Sequence, residues 1–116
     1  MLDSTLNKYS GIRTITVDSG TTVSYAKIGY IVNVAIRYTV ATTGTIAAWG
    51  SKFLGTMPDG YIPNLYFQTK MVTDRNTSIG ATAQVGTDGK IYVAARYSNI
   101  NDTSEILNAS FCYISV

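Results

Sequence analysis

The chain has 116 residues, enough for one domain with its own hydrophobic core. Charged residues make up 14% of it, against about 25% for an average soluble domain, and the net charge is only +2. The basic residues are scattered singly and histidine is absent, which argues against a nucleic-acid tract and removes the commonest general base and metal ligand. No apolar run approaches the roughly 20 residues of a membrane span, so we expect no membrane insertion. The low charge predicts a surface partly covered by a partner, and we expect a homo-oligomer.

The N-terminal residues 1–10 are polar, and we interpret them as a linker or the remnant of a neck. We expect the domain proper to span residues 11–116. Its first predicted strand is residues 12–17, where side chains alternate in character along the chain. The sequence Asp-Ser-Gly at residues 18–20 favours a turn that ends this strand.

The best-defined strand is predicted over residues 28–40, in which every even position is apolar. A period of two places alternate side chains on opposite faces, so one face of this strand should lie in the core. We therefore expect Tyr30 and Tyr38 to be buried. Gly29 is interpreted as a bulge or bend within the strand, and residues 22–27 lead into it.

Turn signals divide the middle of the chain into short segments. Residues 41–45 are small and polar and predict a hairpin tip, with Gly44 available for a positive φ. Residues 46–54 predict a weaker strand broken at Gly50. The sequence Pro-Asp-Gly at residues 58–60 favours a turn, because each of the three residues suits a different turn position.

The second half of the chain alternates over several runs. Residues 65–74, 79–85 and 90–97 predict strands, and the pair Asp88-Gly89 between the last two is a strong hairpin signal. Residues 98–105 form a polar loop in this interpretation, and the closing strand follows over residues 106–116.

The closing strand is apolar on both faces, which favours a central strand or a contact between subunits. Cys112 lies within it, and as the single cysteine it is expected to be a small buried hydrophobe. About seven to eight strands recur at roughly ten-residue spacing. The sequence therefore predicts an all-β fold, an antiparallel β-sandwich or jelly-roll.

No constellation of residues points to catalysis. Apart from Asp3, the carboxylates lie in or beside predicted turns, where backbone capping accounts for them, and no acid/base pair stands out. Asn99, Asn101 and Asp102 are the one candidate group of oxygen ligands for a metal, but they lack the glycine and distal glutamate of a calcium loop. We therefore expect no enzyme activity, no metal and no cofactor.

Outward-facing aromatic residues and the loops are the candidates for binding. Tyr66 and Tyr92 are predicted to point away from the core, where tyrosine suits sugar or protein contacts as well as cross-strand pairs or subunit contacts. Trp49 is a candidate for stacking on a sugar ring, although a buried tryptophan fits the sequence equally. The full set of candidate ligand-binding residues is Trp49, Asp74, Arg75, Tyr92, Arg96, Asn99 and Asp102.

Three segments carry a resemblance to a known family: residues 25–32 (YAKIGYIV), 54–63 (LGTMPDGYIP) and 85–93 (VGTDGKIYV). Their order and spacing resemble the C-terminal head domain of bacteriophage tail fibres and receptor-binding proteins. That family shows a tyrosine–x–lysine–hydrophobic–glycine entry to its long strand, a turn of the form leucine–proline–x–glycine–tyrosine–arginine–proline, and a late aspartate–glycine hairpin. Here Met57 replaces the leucine and Ile62 the arginine, so any role of that arginine is absent.

The resemblance covers residues 23–116 and implies a homotrimeric β-sandwich or jelly-roll head at a fibre or baseplate tip, extracellular when it acts. It implies adhesion to a bacterial surface receptor, often a saccharide. It carries over no binding residues, because the shared motifs are structural. The alternative is a ligand-free structural module that trimerises within a viral fibre or baseplate.

Overall fold

The computed structural model describes residues 9–73 and 80–115. Within these residues the chain forms nine strands and one helical turn. The strands are β1 (Arg13–Thr16), β2 (Thr22–Ile28), β3 (Ile31–Thr39), β4 (Ser51–Thr56), β5 (Phe67–Lys70), β6 (Val72–Thr73), β7 (Ala81–Val85), β8 (Lys90–Ala95) and β9 (Ile106–Ile114), and the helical turn is α1 (Val40–Thr43). None of the described residues belongs to a helix long and apolar enough to cross a membrane.

The strands form two antiparallel sheets. One has the order β1-β2-β3-β9-β6 and the other has the order β4-β8-β7-β5. The predicted strand at residues 65–74 is divided at the buried Met71 into β5 and β6, which belong to different sheets, so the chain passes from one sheet to the other there. This division, together with β2 being a strand separate from β3, raises the described strands to nine from the seven or eight expected. The all-β, antiparallel prediction is confirmed, and the jelly-roll connectivity stays a prediction.

The alternation along β3 places its even positions in the core between the sheets. Val32, Val34, Ile36 and Tyr38 are buried, and the odd positions from Ile31 to Arg37 are exposed. From the second sheet Ala83, Val85, Ile91 and Val93 join the same core cluster. Burial of such aliphatic side chains is the main stabilising term of a domain this size.

The predicted strand over residues 28–40 is wrong at its start. Residues 29–30 form the two-residue loop of a hairpin in which Ile28 pairs with Ile31. Gly29 has a φ of 61°, which glycine adopts without steric cost. Tyr30 consequently lies at the tip of the hairpin with 45% of its surface exposed, and it is not a core residue. Tyr38 is buried as predicted.

The closing strand is central, which is one of the two alternatives favoured by its sequence, because β9 pairs with β3 on one side and β6 on the other. The expectation that Cys112 is buried is wrong: its thiol lies on the exposed face of the sheet. Strand alternation explains the difference, since the buried neighbour Tyr113 fixes Cys112 on the opposite face. Ile114 on that same face is also exposed, so nothing within the described chain covers it.

Most of the turn predictions are confirmed. The Asp18 carboxylate accepts hydrogen bonds from the N–H groups of Gly20 and Thr21, and Tyr61 N–H donates to the Pro58 carbonyl at 3.1 Å. Asp88-Gly89 closes the β7–β8 hairpin. The hairpin tip expected at residues 41–45 is instead the helical turn α1, because the chain leaves the first sheet after β3 and does not pair back onto it.

Candidate functional site

Two segments that are distant in the sequence meet at one end of the four-stranded sheet. Ile46 and Ile100 exchange backbone hydrogen bonds of 2.9 and 2.8 Å, and Trp49 N–H donates to the Arg96 carbonyl at 2.9 Å. Ala95 N–H donates to the Gly50 carbonyl at 2.9 Å. These bonds continue the pairing of β4 with β8 beyond the strand ends, and they fix the approach to β4 against the loop that follows β8.

Trp49 is held in an unusual backbone conformation within this junction. It is 73% exposed, and its φ of 66° is positive, a value that no other non-glycine among the described residues shares. Gly50 N–H donates to the Ala47 carbonyl at 2.8 Å, so Trp49 is the third residue of a turn at the position where glycine or asparagine is usual. A left-handed conformation costs a non-glycine residue about 1–2 kcal/mol. The fold therefore maintains strain to present an indole to solvent.

Asn99 fixes the same turn from the opposite loop. Its side-chain oxygen accepts a hydrogen bond from Ala48 N–H at 2.8 Å. An asparagine side chain also carries an NH₂ group with two donors. Because Asn99 is exposed, this group is available to a ligand beside Trp49.

Tyr97 adds a second exposed aromatic ring, which sequence reasoning missed. It is 65% exposed and its ring packs against the backbone of Gly80, where an added Cβ would lie 2.7 Å from the ring. Arg96 N–H donates to the Gly80 carbonyl at 2.7 Å, so this contact is anchored on both residues. The alternation of β8 predicts an inward Tyr97, but the strand ends at Ala95 and the alternation ends with it.

We call these four residues the Trp49 cluster: Trp49, Arg96, Tyr97 and Asn99. Backbone contacts bring two residues with exposed aromatic rings, an arginine and an exposed asparagine to one loop junction. Aromatic faces stack on the apolar faces of sugar rings, and planar polar side chains bond hydroxyl groups in defined directions. Its chemistry suits reversible binding of a polar ligand with flat apolar faces.

The remaining predicted binding residues lie elsewhere. Tyr92 is on the outer face of the four-stranded sheet, where its ring lies 5.5 Å from that of its cross-strand partner Phe53. Asp102 accepts hydrogen bonds from the backbone and hydroxyl of Ser104 at 2.9 and 2.6 Å, which is a turn-stabilising role. Asp74 and Arg75 fall outside the described residues. The structure thus brings together three of the seven candidates, Trp49, Arg96 and Asn99.

The described residues contain no group of side chains arranged to hold a metal ion. The Asp18 carboxylate accepts four hydrogen bonds, from the Gly20 backbone, the hydroxyls of Thr43 and Thr42, and the Thr21 backbone. The Gly20 hydrogen bond is the largest cause of a pKa that lies below its ordinary value, with the Thr43 hydroxyl next. A carboxylate held ionised in this way ties the turn after β1 to α1.

A comparison with models of known protein families gives no match, and a comparison with curated proteins gives none. Among solved structures, the chain is similar to the head domain of phage bIL170, described as a receptor-binding domain of lactococcal phages. The TM-score is 0.63 at 13% sequence identity, and the match covers 95% of this chain and 99% of that one. The two domains share their fold from end to end, as the resemblance at residues 23–116 implies.

Proposed function

We propose that this chain is the receptor-binding head domain of a phage tail fibre or baseplate protein, and that it attaches the virion to a bacterial surface saccharide. The observation that carries the proposal is the likeness to a phage head domain over nearly the whole of both chains. In this proposal the domain acts outside the host cell at the tail tip, and it acts by binding without breaking bonds.

The Trp49 cluster supports a saccharide ligand. Two aromatic rings are exposed at one loop junction, and Trp49 has a strained backbone conformation of the kind that clusters at binding sites. The backbone that carries these rings is fixed by hydrogen bonds, so little further backbone entropy is lost when a sugar stacks on them. Loops on a rigid sheet are also where binding residues concentrate in proteins.

An apolar area on the outer face of the five-stranded sheet supports a homotrimer. The apolar patch consists of Ile28, Tyr30, Ile31 and Ile114. All four are about half exposed, and they border a hollow of ≈ 640 Å³ in which no described lining residue is charged. Exposed aliphatic clusters of this kind mark surfaces that a partner covers. A second copy of the chain is the partner proposed, in a closed symmetric assembly.

Retention on host cells tests the adhesion proposal. The labelled chain should remain on susceptible bacteria, and Trp49→Ala should abolish retention while Phe53→Ala, at an exposed ring outside the cluster, leaves it unchanged. Equal retention of wild type and Trp49→Ala would refute the assignment of the site. The absence of any retention by a stable trimer would favour the alternative, a structural trimerisation module.

Light scattering tests the assembly. The wild type should be a trimer at micromolar concentration. Ile114→Asp should shift it toward the monomer, because a carboxylate in the apolar patch would be desolvated on assembly. Leu65→Asp is the control, since Leu65 is at least as exposed but lies outside the patch. A monomeric wild type would contradict the trimer.

A further inference from the structure

A second concave feature lies on the same outer face as the apolar patch, at the other end of the five-stranded sheet. It is an open groove of ≈ 510 Å³ that crosses four strands. Its walls include a row of cross-strand neighbours, in which Thr22 pairs with Arg37, Arg37 with Asn108, and Asn108 with Val72. Lys70 enters from the end of β5, just before the chain crosses between the sheets. We call this feature the basic groove.

The lining of the basic groove is suited to an anion. Arg37 and Lys70 supply two positive charges, and none of the described residues that line the groove is a carboxylate. The hydroxyls of Thr22, Ser24 and Ser110 line the same groove. A guanidinium beside an ammonium and several hydroxyl groups is a donor set that matches the oxygens of phosphate or carboxylate.

The shape of the groove is consistent with a ligand that approaches from solvent. Its floor is formed by small side chains on adjacent strands, Ser24 opposite Ala35 and Ala35 opposite Ser110. Such a floor leaves room above the sheet between the longer side chains of Arg37 and Lys70. Among the described acidic residues near the lining in sequence, Asp18 has its carboxylate engaged by four donors, and neither Asp18 nor Glu105 lines the groove. Asp74, two residues beyond Val72, falls outside the described residues.

We propose that the basic groove binds a phosphate or carboxylate group carried by the surface polymer to which the domain attaches. The inference rests on the proposed receptor-binding function for the origin of the polymer, but the site is separate from the Trp49 cluster. Arg37 bonds the anion through its planar fork, Lys70 acts as a point charge, and the hydroxyls orient the remaining oxygens. The two sites then bind different parts of one receptor: the Trp49 cluster binds sugar rings and the basic groove binds charged groups.

Titration with defined polymers tests this proposal. The probes are poly(glycerol phosphate), polygalacturonate and neutral dextran, with binding followed by isothermal titration calorimetry and by backbone NMR shifts. We expect at least one anionic polymer to bind and to shift the amides of Thr22, Arg37 and Asn108, whereas dextran should leave them unmoved. A preference between the two anionic polymers identifies the group as phosphate or carboxylate. Binding should weaken with added salt, because it depends on charge.

Matched variants locate the binding. Arg37→Gln and Lys70→Gln should each weaken anionic polymer binding by about 10-fold or more, as expected for loss of a charge-assisted hydrogen bond. Lys90→Gln removes one positive charge from an exposed position on the other sheet and should have little effect. All three side chains are exposed, so the variants should fold, and circular dichroism checks this.

The outcomes that overturn the groove differ from those that overturn the proposed function. No binding of either anionic polymer, or equal weakening by Lys90→Gln, refutes the groove. So does dissociation of the assembly by Arg37→Gln with unchanged polymer binding, which would mean that the cations pair with a second copy. If cell retention is lost in Trp49→Ala but unchanged in both groove variants, the proposed role of the basic groove is refuted and the adhesion proposal is not. Polymer binding through Arg37 without any cell retention would refute the adhesion proposal and leave the groove intact.

Discussion

Because the backbone at Trp49 is strained, we predict that glycine is more stabilising than alanine at this position, the reverse of the usual order. At an ordinary position, replacing alanine by glycine costs about 0.4–1 kcal/mol, because glycine gains more freedom in the unfolded chain. At a φ of 66° the order should invert. Glycine relieves about 1–2 kcal/mol of left-handed strain that alanine retains. Subtracting the entropy term leaves Trp49→Gly more stable than Trp49→Ala by about 1 kcal/mol.

Comparing Trp49→Gly with Trp49→Ala removes the loss of the indole from the result, since both variants lack it. The control is Ala47→Gly, at an exposed neighbour in the same turn whose φ is not positive. Urea denaturation followed by circular dichroism should show Ala47→Gly less stable than wild type and Trp49→Gly more stable than Trp49→Ala. In thermal unfolding, 1 kcal/mol is a shift of roughly 4 °C. If Trp49→Ala proved the more stable of the pair, the idea that the fold maintains strain to display this ring would be refuted.

Two further predictions concern the fold. Burial and the charge of Asp18 raise the pKa of Tyr38 to about 12, and burial raises the pKa of Tyr113. The free energy of unfolding should therefore be fully retained below pH 10 and should fall as the pH rises toward 12. The fall is up to about 1.4 kcal/mol per pH unit for each tyrosine. Thermal melts between pH 8 and 12 measure it, and an unchanged melting temperature above pH 10 would contradict it. Gly89→Ala should cost about 2 kcal/mol or more, because a Cβ at a φ of 85° would also lie 3.0 Å from the Met57 carbonyl. Gly11 has a φ of 78° and open space around it, so Gly11→Ala should lose only the stability that backbone strain costs. Similar losses of stability in Gly89→Ala and Gly11→Ala would rule out a steric contact at Gly89.

Local sequence signals predicted the parts of the fold that depend on neighbours in the chain. The alternation from Val32 to Val40 and the Asp88-Gly89 hairpin appear in the structure because side-chain period and turn chemistry act over a few residues. The same reasoning failed at Tyr30, where the alternation continues through an exposed turn that hydropathy does not distinguish from a strand. Gly29 carried the signal, since it supplies the positive φ of a two-residue loop and was interpreted as a bulge.

The sites depended on pairings that the sequence does not show. Trp49 and Asn99 belong to segments joined by backbone bonds between Ile46 and Ile100 and between Trp49 and Arg96, pairings that no local pattern predicts. The basic groove depends on Lys70 arriving from the other sheet beside Arg37, and this follows from the crossing at Met71. Cys112 was misplaced for a related reason: an apolar residue in an apolar strand is buried only if something covers that face.

The outer face of the five-stranded sheet is chemically divided, and the division suggests how assembly and binding are compatible. Ile31 in the apolar patch and Arg37 in the basic groove both lie on β3, six residues apart, which at about 3.3 Å per residue is roughly 20 Å. Copies that pack through the apolar patch can therefore leave the groove open beyond their contact. A closed trimer would then repeat the groove three times around one axis. An anionic polymer that reaches two grooves gains effective concentration, so individually modest contacts are enough for firm attachment.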